Sequence, residues 1–207
     1  MTAAKQWVLA SRPEGAPTSE NFRLEEVELP ELSDGQILVQ NTFSSVDPYM
    51  RGRMNDVESY IEPFQIDEPL NGTAIGTVTE SRSSKFKVGD TVRHFAGWRT
   101  HAVLNEDQAE KIDTTIAPAE AYLGILGLTG LTAYVGLTAV GEMKEGDVVF
   151  ISGAAGAVGS AAGQIAKHLG AAKVIGSAGS AEKIDYITGI GFDEAFNYKD
   201  GDVNGQL

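Results

Sequence analysis

The chain has 207 residues and a formal net charge of −13, which argues against a polyanionic partner, because nucleic-acid binding shows itself as a basic face. Hydrophobic residues make up 42% and charged residues 22%, enough apolar material for a core, so disorder is not the reading. There is no cysteine and there are only three histidines, His94, His101 and His168, so disulfides and thiolate zinc sites are excluded and no metal site is expected.

The first part reads as β-rich. Apolar and β-branched runs occur at Gln6–Ala10, Phe22–Leu29, Gln36–Val46, Thr73–Thr79, Asp90–Ala96 and Thr100–Leu104. Turn signals punctuate them at Ser33-Asp34-Gly35, Asn71-Gly72 and Val88-Gly89-Asp90. Short strands with such turns predict a barrel or sandwich. The pattern changes near Ala117, and Pro118 to Leu137 reads as helical, with Thr129 a candidate cap. Ala121–Val140 is uncharged and about as long as a membrane span, but its four glycines suit a broken pair of short, closely packed helices. The opening fifteen residues hold no apolar stretch of secretory length, and cytoplasm is the expected compartment.

A β-α-β unit follows. Asp147–Ser152 is a short buried strand and Gly153–Gly159 a glycine-rich turn. Val158–Leu169 is a helix, with Ala162, Ile165, Ala166 and Leu169 at i, i+3, i+4 and i+7. Gly170 suits its C-terminus. Lys173–Ala178 is a second strand, Ser180 caps a helix through Ile187, and Glu194–Asn197 is a third strand. Parallel strands with right-handed crossovers are expected. The 207 residues hold about half of a six-stranded dinucleotide fold.

The turn Gly153-Ala-Ala-Gly-Ala-Val-Gly159 follows a strand and opens a helix, the context a dinucleotide fingerprint requires. Gly156 lets backbone approach a pyrophosphate, and Gly159 lets the helix pack on the strand. Helix N–H groups and the helix dipole then receive the phosphates. An NAD site carries a carboxylate at the end of the second strand. Here that strand runs into Ser177-Ala178-Gly179-Ser180, with Lys183 beyond. A hydroxyl and an ammonium suit a 2′-phosphate, which points to NADPH.

Gly127-Leu-Thr-Gly-Leu-Thr-Ala-Tyr134, the glycine-rich turn and Ala178-Gly-Ser-Ala-Glu-Lys183 together resemble the medium-chain dehydrogenase/reductase superfamily. Ser45-Val-Asp-Pro-Tyr-Met-Arg-Gly-Arg-Met54 narrows the resemblance to the prostaglandin reductase and alkenal double-bond reductase family, with its curcumin-reductase-like bacterial members. The resemblance implies a GroES-like, partly open barrel over residues 1–120. An incomplete Rossmann domain, a doubly wound parallel sheet with its leading helices, would follow over 121–207. It implies zinc-independent, NADPH-dependent reduction of the carbon–carbon double bond of enones or enals. It puts Gly156, Ala157 and Val158 at the pyrophosphate, with Gly153 and Gly159 completing the cofactor-binding turn. Ser180, Lys183 and Tyr198 would surround the 2′-phosphate, and Thr129 and Gly130 would lie near the nicotinamide. Tyr49 would line the substrate pocket as a hydroxyl donor, joined by Tyr60. Asp47 and Arg51 read instead as an i,i+4 pair on a short helix.

Family members are longer, which implies a chain cut short at its C-terminal side and a homodimer in the full-length protein. Two other readings fit the same residues. One is a quinone oxidoreductase of the same superfamily; the other is a non-catalytic nucleotide-binding module.

Overall fold

The computed structural model describes residues 2–201 and Gly205. The chain divides into two units, Met1–Leu123 and Gly124–Leu207.

In the first unit β1 (Thr2–Leu9) pairs antiparallel with β2 (Phe22–Leu29). The larger sheet has five strands: β3 (Gln36–Ser44), β4 (Ala74–Ser81), β5 (Thr91–His94), β6 (His101–Asn105) and β7 (Ala109–Lys111), in the order β6-β3-β4-β5-β7. Its pairings are antiparallel throughout. Along β5, Val92 and His94 are buried while Thr91 and Arg93 are half-exposed, the period-2 alternation of a strand with one face on a core. Ile37, Val39, Val78, Val92 and Leu104 form that core with Phe86. Each buried aliphatic contributes roughly 1.5–3 kcal/mol. Register breaks at Leu38/Val39 and Asn41/Phe43 bend β3 against β4, so the sheet curls into the partly open barrel. A short helix, α1 (Tyr49–Arg53), and the loop after it pack Met50, Met54, Phe64 and Leu70 against Leu9, a second core under β1.

β7, with two exposed residues of three, is a strand the sequence pattern does not signal. The Asp47–Arg51 pair does not form. The Arg51 guanidinium donates instead to the carbonyls of Gly15 and Pro13 and to Asn55 Oδ1.

The second unit begins with α2 (Leu128–Val135), which continues into a π-helical turn at Gly136–Val140. The expected helical span of 118–137 is therefore broken, with a separate 3-10 turn at Ala119–Leu123. The residue at the N-cap of α2 is Gly127, so Thr129 lies inside the first turn and is not the cap. No helix among the described residues is long and apolar enough to cross a membrane.

Three parallel strands follow: β8 (Val148–Ile151), β9 (Lys173–Ala178) and β10 (Glu194–Asn197), in the order β10-β9-β8. The connecting helices are α3 (Ala157–His168) and α4 (Ala181–Gly189). This is one half of a doubly wound sheet. Its core is made of small residues, Ala154, Ala166 and Ala178, with Val174, Ile187 and Phe192. Phe192 reaches α3 because Gly163 has no side chain; a Cβ there would run into the ring.

Candidate cofactor and active site

The turn after β8 is built from glycines used in different ways. Gly153 has φ +59°, a left-handed conformation that glycine adopts without steric cost. Ala154 N–H donates to Ser177 O at 2.9 Å and ties the turn to β9, while Gly156 N–H closes it on Gly153 O at 2.9 Å. Gly156 is the N-cap of α3 and offers no side-chain cap. The first helical bond runs from Ser160 N–H to Gly156 O at 2.9 Å, which leaves the N–H groups of Ala157, Val158 and Gly159 without helical acceptors. The first turn holds no acidic residue. A Cβ on Gly159 would stand 2.5 Å from Gly153 O and 2.8 Å from Ala154 Cα, both backbone atoms. Glycine is therefore required for α3 to rest on the turn, and the arrangement is one that receives an anion.

Beside this terminus lies a hollow of about 440 Å³, lined among others by Gly153, Gly156, Ser180, Lys183, Tyr198 and Lys199. None of its lining residues is acidic. Ser180 Oγ accepts a bond of 3.4 Å from Lys183 N–H as the cap of α4, and its own O–H is left to donate. Lys183 and Lys199 form no salt bridge among the described residues. The Tyr198 hydroxyl lies 2.8 Å from where a Cβ on Gly179 would stand, so the ring rests on that glycine's backbone. Two ammonium groups and a hydroxyl, with no carboxylate, fit a phosphate monoester rather than a ribose diol. Lys199 was absent from the sequence-based expectation, although it directly follows Tyr198. Thr129 and Gly130 lie in the first turn of α2 and do not line this hollow; Gly130 is buried against the Ile125 carbonyl.

In the first unit Tyr49 opens α1 and packs with Trp98 against the cluster of Leu9, Met50 and Phe64. Its hydroxyl is shielded from solvent and has no hydrogen-bond partner; the same holds for Asp47 Oδ2 and Trp98 Nε1. Burial, and then the charge of Asp47, raises the Tyr49 pKa above that of an ordinary phenol, so the group is a neutral donor. Tyr60 is 86% exposed and is not enclosed with Tyr49. An apolar hollow of about 430 Å³ opens nearby, with Trp7, Leu24, Val46 and Trp98 in its lining.

Comparison with known proteins gives a consistent set of matches. Residues 5–112, just over half of the chain, match the family described as the N-terminal domain of oxidoreductase. Residues 157–207 match the family described as zinc-binding dehydrogenase. Among the described residues no group of three His, Cys, Asp or Glu is placed to hold a metal ion. YfmJ of Bacillus subtilis, which bears the name of an NADP-dependent oxidoreductase, is 53% identical over 98% of this chain and 60% of its own length. The NADPH-dependent curcumin reductase of Escherichia coli is 40% identical over 98% of this chain and 59% of its own. The crystal structure of CurA from Vibrio vulnificus in complex with NADPH superposes with a TM-score of 0.88 at 42% identity. It covers 98% of this chain and 60% of that one. The chain thus spans about 60% of the length of these relatives.

Proposed function

The chain belongs to the medium-chain dehydrogenase/reductase family, whose members similar to it include prostaglandin, alkenal and curcumin reductases, and from that membership we propose that it binds NADPH and serves the reduction of the carbon–carbon double bond of α,β-unsaturated ketones or aldehydes. The observation that carries this reading is the acid-free hollow of Ser180, Lys183 and Lys199 beside the uncapped N-terminus of α3.

When bound, the dihydronicotinamide supplies the hydride that adds to the substrate's β-carbon. The chain's own residues bind and orient. The N–H groups of Ala157, Val158 and Gly159 would hold the pyrophosphate, aided by the helix dipole. The Ser180 hydroxyl and the Lys183 and Lys199 ammonium groups would hold the 2′-phosphate, with Tyr198 beside them in the same hollow. Thr129 and Gly130 would lie toward the nicotinamide end. Charge-assisted bonds of this kind are worth roughly 1.5–3 kcal/mol each, enough to favour NADPH over NADH by tenfold or more. As negative charge builds on the substrate's carbonyl oxygen, the neutral Tyr49 hydroxyl donates to it in a site screened from water. A proton taken from solvent at the α-carbon completes the addition.

The test is oxidation of NADPH by the purified chain, with 4-phenylbut-3-en-2-one and a quinone as separate acceptors. Enone-dependent oxidation supports the reading. Faster turnover of the quinone replaces it with quinone reduction. Binding without oxidation by either acceptor leaves a nucleotide-binding module.

A further inference from the structure

Trp98 has φ +60°, a left-handed conformation that costs a residue with a side chain on the order of 1 kcal/mol or more. Its backbone is pinned there. Trp98 N–H donates to Ser44 Oγ at 3.2 Å, and Trp98 O accepts from Trp7 N–H at 2.9 Å. Gly97 N–H next to it donates to Gly72 O at 3.0 Å. The indole held in this way presents a solvent-shielded Nε1–H with no acceptor.

Tyr49 Oη is the other unpaired buried donor, and the two atoms lie close to one place. From the position a Cβ would take on Gly72, Trp98 Nε1 is 3.7 Å away and Tyr49 Oη 3.8 Å. The same Cβ would run into Met50 Cε, so the tip of the flexible Met50 side chain fills the space over this glycine. Leaving a buried donor unpaired costs roughly 1–3 kcal/mol. Two such donors over one glycine, one fixed by a strained backbone, match a site completed by an acceptor from outside the chain. The third unpaired atom, Asp47 Oδ2, is an acceptor. It lends charge rather than a bond and favours phenol over phenolate at Tyr49.

We propose that Trp98 Nε1–H and Tyr49 O–H together grip one carbonyl oxygen over Gly72, with the Met50 methyl moving aside to admit it. The apolar hollow that Trp98 shares with Trp7, Leu24 and Val46 takes the substrate's apolar body. Trp98 is then a second oxyanion donor, and the class of ligand selected is a ketone or aldehyde, whose oxygen has two lone pairs for two donors. This rests on the enone reading above.

The chain has two tryptophans, Trp7 and Trp98, so its nitrogen-15 spectrum contains two indole N–H signals, which either Trp98→Phe or Trp7→Phe assigns. The chain is titrated with 4-phenylbut-3-en-2-one in the presence of NADP+, which prevents turnover. The Trp98 proton is expected to move downfield and saturate while that of Trp7 stays. Propenylbenzene, which lacks the carbonyl, leaves the Trp98 proton in place. Tyr49→Phe weakens enone binding about tenfold but preserves the Trp98 response. Enone binding without a Trp98 shift, an equal shift with propenylbenzene, or no enone binding overturns the proposal. Binding of NADP+ is read in the same samples from the nucleotide's own signals. Its loss counts against the cofactor reading instead, so the two failures are distinguishable.

Discussion

His94 Nε2 lies 2.9 Å from Asn41 Oδ1, and the Asn41 amide donates in turn to the carbonyls of Ala96 and Arg99 at 3.0 and 2.9 Å. His94 Nδ1 accepts from Ala96 N–H at 3.1 Å. That ring nitrogen therefore carries no proton, Nε2 carries the one the neutral ring has, and the pair fastens the 95–99 loop that bears Trp98 to β3.

Burial, with a smaller push from the Arg99 charge, lowers the His94 pKa from 6.5 to about 4. Between these values the unfolded chain takes up a proton that the folded ring refuses, so stability falls as pH drops through this window. The loss approaches roughly 3 kcal/mol near pH 4 and grows little below it. Urea unfolding of the chain and of His94→Gln between pH 7 and pH 4 checks this. The variant is expected to be less stable at pH 7 and to show a flatter dependence; parallel curves contradict the assignment.

Tyr49→Phe separates a catalytic from a structural hydroxyl. Because the group has no partner in the fold, its removal should leave the unfolding midpoint unchanged or slightly raised. Enone-dependent NADPH oxidation should fall about 100-fold in kcat. A fall in stability with kcat unchanged would mean that the hydroxyl serves packing alone.

Gly159→Ala forces a Cβ to 2.5 Å from the Gly153 carbonyl. The helix must lift from the turn, at a cost of about 1–3 kcal/mol, and the phosphate-facing N–H groups move with it. Thermal unfolding and NADPH affinity should both drop. Gly156→Ala, whose Cβ meets only Gly153 O at 3.2 Å, should unfold nearly as the parent does and lose affinity alone.

The parts of this protein that are legible in its sequence are those set by local pattern. β9 and β10 run over Lys173–Ala178 and Glu194–Asn197, as their short apolar runs indicate, and Ser180 caps α4. What escaped depends on distant partners. Arg51 leaves Asp47 for carbonyls 36 and 38 residues away, and no spacing rule along a helix reveals that. The 3-10 turn, α2 and the π-turn share one glycine-spaced apolar stretch, whose breaks are set by packing such as that of Gly130 on the Ile125 carbonyl. β7 is held as a strand by its pairing with β5 and by Lys111 Nζ, 2.7 Å from Asp90 Oδ1, not by apolar content. Trp98 carries no signal for a left-handed backbone. Its conformation comes from the contacts of Ser44, Trp7 and Gly97 around it.

Whether the hollow beside α3 holds a 2′-phosphate is read from the pair of dissociation constants for NADPH and NADH, by fluorescence, in the parent chain and in Lys183→Ala. The parent should bind NADPH at least tenfold more tightly than NADH, and the substitution should remove most of that preference by weakening NADPH alone. Equal affinities in the parent, or a preference that Lys183→Ala leaves intact, would contradict the assignment of Ser180, Lys183 and Lys199 to the phosphate.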